Sequence, residues 1–300
     1  MNIYISADDN YIVPTKVMLT SLLVNNRKEF HNIYFMYNSI QSNNLKELES
    51  LVGQFQARLH PLHIHESLFE GFRSTNQYPL LVYYRLLVPQ LLPATEDRAL
   101  WMDVDLIVNG SLDEFYYQDF DGAYLVACRD CDHPDRLPQL GCPPGAVYVN
   151  AGVILFNAVA MRQYQLSDFV EYYSTHEKFI KMQDQDIING MFSSHTKIMD
   201  SNTYNTFAPS ICSVHEYRSK AFKQAKIIHF IGKHKPWSNT YANPAGALWD
   251  RYYLLTFNKG LVFSFFYRIA RYFIRFVQRT FIVPLRILHG KLHEKKLFNM

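Results

Sequence analysis

No internal repeat and no low-complexity linker runs through this 300-residue sequence, which excludes solenoids, propellers and loosely tethered arrays. Only four cysteines occur, at 128, 131, 142 and 212, too few for a disulfide-stapled scaffold. Cys128-x-x-Cys131, with His133 and Cys142 nearby, offers zinc-type ligands, but the spacing lacks the paired knuckles of common zinc sites, and free thiols are the expectation. Met1-Asn2-Ile3-Tyr4-Ile5 enters a strand directly, with no charged leader and no long apolar stretch before it. A secretory signal is therefore not expected, and a cytoplasmic location is.

Charge is unevenly spread. From Lys259 to Met300 there are nine Lys/Arg and one acid, Glu294, a net +8, whereas residues 1–258 hold 21 Lys/Arg and 26 Asp/Glu, a net −5. A mildly acidic body with a basic tail points to an anionic partner for the tail, and no nucleic-acid partner is expected. The length suits one domain of about 200–250 residues plus extras, so the expected division is 1–258 for the domain and 259–300 for the tail. The 21 Tyr and 22 Phe suit a sugar-facing cleft or a membrane face equally well.

Asp103-Val104-Asp105 is the most informative segment. It follows the apolar run Arg98–Met102, and residues i and i+2 of a strand share a face. Two carboxylates so placed repel unless a cation lies between them, and hard oxygens suit magnesium or manganese. A solvated turn would carry the same residues. The first 110 residues alternate strand and helix. Strands are expected at Asn2–Ala7, Ile33–Tyr37, Ala57–His63 and Arg98–Met102, and helices near Pro14–Leu23, from Ser42, and over Tyr83–Leu92. Further strands are expected at Ala123–Ala127, Val147–Phe156 and Lys226–Ile231, with helices over Ala158–Lys178 and Asp184–Phe192. The order implies an α/β fold with a mixed, mostly parallel sheet flanked by helices, and ligands beyond the C-terminal strand ends.

Three other segments carry polar chemistry. Ala7-Asp8-Asp9-Asn10-Tyr11 ends the first strand and could read and stack on a base, or form an ordinary capped loop. Gln183-Asp184-Gln185-Asp186 opens a helix, where the dipole explains the acids but not the glutamines. His229-Phe230-Ile231-Gly232-Lys233-His234-Lys235-Pro236-Trp237 could supply a third metal ligand, a permissive glycine and lysines for phosphate, or form a basic surface loop.

These segments, with Tyr84-Arg85-Leu86 and Tyr148-Val149-Asn150-Ala151-Gly152-Val153 in the same order, resemble family 8 glycosyltransferases of the GT-A nucleotide-diphospho-sugar transferase fold, over roughly residues 1–255. The likeness is to bacterial lipopolysaccharide and lipooligosaccharide galactosyl- and glucosyltransferases. It implies a retaining hexosyltransferase that takes galactose or glucose from a UDP-sugar to a saccharide acceptor, lipid-linked in that family's manner. It implies that Asp103, Asp105 and His229 hold manganese or magnesium, and that Asp8, Asn10 and Tyr11 bind uridine. Gly232 and Lys235 would steady the diphosphate, Val104 would lie against the donor, and Arg85, Asn150, Asp184 and Gln185 would contact its sugar. Asp130 falls where the family carries another sugar-facing acid, so Gln185, Asp184 and Asp130 are the catalytic candidates. Gln185 is an amide and a poor nucleophile, which favours a same-face route over double displacement. A haloacid-dehalogenase-type phosphatase and a non-catalytic sugar-nucleotide-binding module are the competing classes, and the phosphatase motif normally comes earlier in a chain.

Gly260–Val283 is apolar, yet four Arg at 268, 271, 275 and 279 would cost about 10–14 kcal/mol at mid-bilayer against about 4–8 returned by its thirteen Leu/Ile/Val/Phe. A spanning helix is excluded on that balance. The four Arg share roughly 80° of arc at helical spacing, with Phe266, Phe273, Val277 and Phe281 nearly opposite. The tail is therefore expected to be a basic amphipathic helix on an anionic membrane surface, holding the protein peripherally at the inner face of the cytoplasmic membrane; the alternative is a helix packed on the body with its Arg face in water.

Overall fold

A computed structural model describes residues 1–75, 79–130, 136–210 and 219–282. Seven strands form the main sheet: β1 (Asn2–Ser6), β2 (His31–Tyr37), β3 (Ala57–His63), β4 (Arg98–Met102), β6 (Leu125–Arg129), β7 (Val149–Asn157) and β8 (Thr196–Met199). Their order is β3-β2-β1-β4-β7-β6-β8. The first four run parallel, β7 lies antiparallel between β4 and β6, and β8 is parallel to β6. A second sheet joins β5 (Leu106–Val108), β10 (Ile227–His229) and β9 (Thr206–Phe207). This is the mixed, mostly parallel GT-A arrangement that the motif order implies.

Side-chain alternation explains why both faces of the sheet are covered. Ile3, Ile5, Leu100 and Met102 enter one core with Leu19, Leu22 and Phe35; Tyr4 and Trp101 enter the other with Tyr83, Tyr84 and Phe169. Strands buried on both sides read as nearly continuous apolar runs. Helices α1 (Ile12–Asn25), α2 (Ser42–Val52), α3 (Leu166–His176), α4 (Gln183–Phe192), α5 (Gly246–Thr256) and α6 (Leu261–Val277) complete the layers. The small sheet packs Ile107, Ile228 and Phe230 against Leu248, Trp249 and Tyr252 of α5.

Two helices differ from the sequence expectation. Leu80–Leu87 is a 3-10 helix, followed by one α turn at Val88–Leu91. The expected helix over 158–178 is two, because Asn157 caps a first turn that ends at Met161 and a Gln165/Asp168 capping box restarts the chain at Leu166. Cys128 and Cys142 are buried free thiols, while Cys131, His133 and Cys212 lie outside the described residues. Burial pushes the Cys128 thiol up to about 12, which suits a core residue rather than a reactive one.

The tail helix packs on the domain with its charged side inward. Arg271 and Arg275 are buried and both pair with the buried carboxylate of Asp250 on α5. Phe265, Phe266, Ile269, Tyr272 and Phe273 are exposed instead. Two of the four Arg expected to face an anionic surface are thus taken up by the body, because Asp250 needs cationic partners once it is dehydrated. Among the described residues no helix is long and apolar enough to cross a membrane.

Candidate active site

β4 ends at Met102, and Asp103, Val104 and Asp105 form a bend between the two sheets. Both carboxylates face one centre because of this bend, not because they continue the strand. The Asp103 amide donates to the Gly152 carbonyl at 2.8 Å and the Phe230 amide to the Asp105 carbonyl at 2.9 Å, so main-chain bonds hold each end. Val104 turns its side chain into the core, which leaves only its backbone for a ligand. Antiparallel pairing of β5 with β10 sets Leu106 opposite His229 and brings the imidazole to the bend.

One ligand atom from each of Asp103, Asp105 and His229 lies within 4.8 Å of the others. His229 Nε2 is 3.0 Å from Asp105 Oδ1 and 3.9 Å from Asp103 Oδ2. Two hard oxygens and an imidazole nitrogen fit manganese or magnesium. Lys235 Nζ sits on Asp105 Oδ2 and also donates to the Phe230 carbonyl at 2.8 Å, so a cation is already accommodated at this carboxylate. Burial alone would raise the Asp105 carboxyl, but the charges and hydrogen bonds of His229 and Lys235 outweigh it and hold the group well below the usual carboxylate range.

Two residues of this centre take no role in the sequence reading, although Gly152 lies within its Tyr148–Val153 segment. Asn205 Oδ1 is 3.0 Å from His229 Nδ1, and its amide donates to Asn150 Oδ1 at 2.9 Å. An Nδ1–H donated to Asn205 leaves Nε2 free to face the carboxylates. Asn205→Ala is expected to weaken metal binding about 10- to 100-fold, as loss of such an orienting partner does elsewhere, and manganese titration calorimetry measures it. Gly152 is the other. A Cβ there would lie 2.3 Å from His229 Cε1 and 2.9 Å from Asp103 Oδ2. Gly152→Ala is expected to leave the fold intact by circular dichroism while displacing His229 and abolishing metal-dependent activity.

Arg85 links this centre to the glutamine-rich segment. It is buried, lies 4.8 Å over the Trp101 ring, and pairs with Asp103 Oδ1 at 3.1 Å and Asp184 Oδ2 at 2.9 Å. Burial pushes the Asp184 carboxyl up to about 7; Arg85 opposes the rise, and the charge of Asp103 adds to it. The positive φ of 42° at Gln183 turns the chain sharply into α4. Gln185 Nε2 donates to Asp130 Oδ2 at 2.8 Å, and Asn150 Nδ2 donates to the same oxygen at 3.2 Å. Gln185 Oε1 accepts from the Ala151 amide at 3.0 Å and from Asn150 Nδ2 at 3.2 Å. Both sides of the Gln185 amide are therefore engaged, and Asp130 is the anion that this network presents. Asp186, by contrast, is fully buried and accepts from Tyr148, from Arg136 and from the amides of Lys181 and Met182. It is structural, as the helix-dipole reading of this segment allows.

The first-strand segment comes to the same place. Asp8 Oδ1 accepts from the amides of Asn10 and Tyr11 at 3.0 and 3.2 Å, and its Oδ2 from Asn10 Nδ2 at 3.1 Å. The Tyr11 ring meets Trp237 edge-on, with centroids 5.6 Å apart. Its hydroxyl is raised first by burial, and also feels the charges of Lys235, Asp105, Asp8 and Asp103. Gly232, at φ 83°, needs its lack of a side chain for conformation, and the space around it is open. Arg85, Asn150, Asp184 and Gln185 thus connect by direct contacts to Asp103, Asp105, His229 and Lys235 at the junction of the two sheets, and Tyr11 lies close enough to feel their charges.

A GT-A sheet with an Asp–Asp–His cluster at its junction defines the class as nucleotide-sugar-transferase-like. The glycosyl transferase family 8 model matches residues 2–241, and the chain belongs to that family. A putative glycosyltransferase of Haemophilus influenzae is 28% identical over 245 residues, 79% of this chain and 73% of the relative. A lipopolysaccharide 1,2-glucosyltransferase of Escherichia coli is 26% identical over 257 residues, 82% of this chain and 75% of the relative. The solved structure of the galactosyltransferase LgtC, in complex with donor and acceptor sugar analogues, has the same fold, with a TM-score of 0.74, 19% identity, and coverage of 88% of this chain and 99% of that one. Nothing in these matches favours the phosphatase alternative.

Proposed function

We propose that this glycosyltransferase moves galactose or glucose from a UDP-sugar to a saccharide acceptor of lipopolysaccharide or lipooligosaccharide core type, with retention at the anomeric carbon. The observation that carries the reading is the meeting of Asp103, Asp105 and His229 with Lys235 and Arg85 at one junction. The lipopolysaccharide activity named for the Escherichia coli relative supports the acceptor class.

Asp8, Asn10 and Tyr11 would take the uridine. Asp103, Asp105 and His229 would hold manganese or magnesium, which supplies a Lewis acid to the diphosphate when bound. Lys235 would exchange Asp105 for a phosphate oxygen, with Gly232 and the Val104 backbone beside it. Arg85, Asn150, Asp184, Gln185 and Asp130 would line the donor sugar. As the bond from the anomeric carbon to the diphosphate oxygen breaks, the acceptor oxygen attacks from the same face. Its proton passes to the departing oxygen. Asp130, held by two amides, and Gln185 would stabilise positive character at the anomeric carbon. A covalent sugar trapped on Asp184 or Asp130 would overturn the same-face route.

A lipid-borne acceptor would suit a cytoplasmic enzyme held peripherally at the inner membrane face by residues 260–300. The test of the reading is UDP release by the full chain from UDP-galactose and UDP-glucose separately, with manganese and with EDTA. Release from one donor, lost on chelation and in Asp103→Asn, is the expected result. Phosphate release in place of UDP, or ligand binding without turnover, would overturn it.

A further inference from the structure

The two buried arginines of α6 are not equivalent. Arg271 spends its guanidinium on Asp250 Oδ1 at 3.2 Å, Asn239 Oδ1 at 3.2 Å, and the carbonyls of Ser238 and Pro236. Arg275 gives only Nη1 to Asp250; its Nε and Nη2 are buried with no hydrogen-bond partner among the described residues. The residue is 8% exposed. A dehydrated guanidinium with two idle nitrogens is costly unless an acceptor arrives. Room has been left for its placement: a Cβ on Gly246 would lie 2.7 Å from Arg275 Nη2.

Arg275 lines a cavity of about 460 Å³ between the start of α5 and α6. Arg251, Arg268 and Arg279 also line it, and the one carboxylate among its described lining residues, Asp250, is already shared by Arg271 and Arg275. The rest of the wall includes Ala247 and Tyr272. Four arginines around one cavity with a single neutralised acid call for a multivalent oxyanion, and planar guanidinium forks suit phosphate. Tyr272 belongs both to this wall and to the exposed row Phe265, Phe266, Ile269, Tyr272 and Phe273, whose exposures run from 51 to 70%. A free phosphate would use the arginines and leave that row in water. A phosphate carrying hydrocarbon chains would use both.

We propose that this cavity binds the phosphate of an anionic phospholipid headgroup, with the acyl chains lying along the aromatic row. The proposal rests on the membrane association put forward above and makes it specific. The helix meets the membrane by its apolar face, and one headgroup phosphate enters between α5 and α6, where Arg251, Arg268 and Arg279 line the cavity with Arg275. Bulk attraction of a basic surface would need no cavity and would give no saturable single site.

The test is calorimetric titration of the full chain with short-chain phosphatidylglycerol below its micelle concentration. Short-chain phosphatidylcholine and inorganic phosphate serve as comparison ligands, and cosedimentation with phosphatidylcholine vesicles with and without phosphatidylglycerol runs in parallel. One-site binding of phosphatidylglycerol is expected. It should weaken about tenfold or more in Arg251→Gln/Arg268→Gln, the scale of a lost charge-assisted hydrogen bond, and in Ala247→Trp, which fills the cavity without altering charge. Neither variant touches the Asp250 pairs that hold the helix. Inorganic phosphate binding as tightly as the lipid would overturn the lipid assignment, and wild-type affinity in Ala247→Trp would overturn the cavity. Equal vesicle binding by wild type and both variants, with no soluble-lipid binding, would remove the headgroup site and leave membrane association standing. Absence of vesicle binding altogether would remove both.

Discussion

Asp105→Asn is expected to lower turnover by about 10²- to 10³-fold, the scale of losing one preorganised electrostatic contact at a reacting centre. Asp105 is the carboxylate on which His229 and Lys235 both converge. An amide keeps its shape but not its charge. The cluster would then offer one carboxylate instead of two, so the manganese concentration for half-maximal rate should rise together with the fall in kcat. Stability should shift as well. Because the folded carboxyl ionises well below its unfolded counterpart, its contribution is present above the unfolded pKa and is lost as pH falls through the folded one. The variant should therefore be less stable than wild type at neutral pH and lose less on acidification. UDP release against manganese concentration and urea unfolding at two pH values measure these effects. Wild-type manganese dependence in Asp105→Asn would remove this residue from the metal set.

The elements most legible in the sequence were those whose pattern is local. β3 at Ala57–His63 and β4 at Arg98–Met102 run as expected at both ends, since turn residues and apolar runs bound them. The direction of β7 was not legible. A strand buried on both faces has the same composition whichever way it runs, and the antiparallel register of Trp101 with Ile154 is fixed by chain routing. β5 was missed for a similar reason: three residues carry no periodicity, and the strand exists through its pairing with β10, far along the chain.

The candidate site divides in the same way. Asp103, Asp105 and His229 were legible because carboxylates at a strand end and a histidine beside a glycine-lysine loop make a pattern. Asn205 was not, because a lone asparagine has no pattern, and its role follows from lying 3.0 Å from His229 Nδ1. The tail shows the limit of helical periodicity. The arc of arginines was correctly located, but its direction depends on Asp250, whose burial beside α6 is a tertiary fact. An arginine stripe reads as a wet face until a buried acid turns it inward.

Arg85→Met is expected to have the largest effect on stability and to remove activity as well. Arg85 is a single guanidinium shared by two carboxylates, Asp103 and the nine-tenths buried Asp184. Taking away one partner of a buried ion pair costs about 3–5 kcal/mol, since the remaining carboxylate must either stay ionised and dehydrated or take up a proton on folding. Asp184 already titrates at about 7, where burial and neighbouring acids balance Arg85, so without Arg85 it would be neutral over a still wider range. Its proton has a consequence for wild type. Between about pH 4 and about 7 the folded state holds a proton that the unfolded chain has released, so unfolding releases it and rising pH favours unfolding. Wild-type stability should therefore fall across this window through Asp184, by at most about 4 kcal/mol for a shift of about three pKa units. Asp184→Asn should flatten that fall. Arg85→Met should extend it above pH 7. Arg85→Met/Asp184→Asn should recover most of the lost stability, because the buried charge is gone, yet recover no activity, because Asp103 still lacks the cation that orients it towards the metal. Urea unfolding from pH 4 to 8, with UDP release on the same samples, separates the two effects. Failure of the double variant to regain stability would show that Arg85 acts through its packing on Trp101 and not through Asp184.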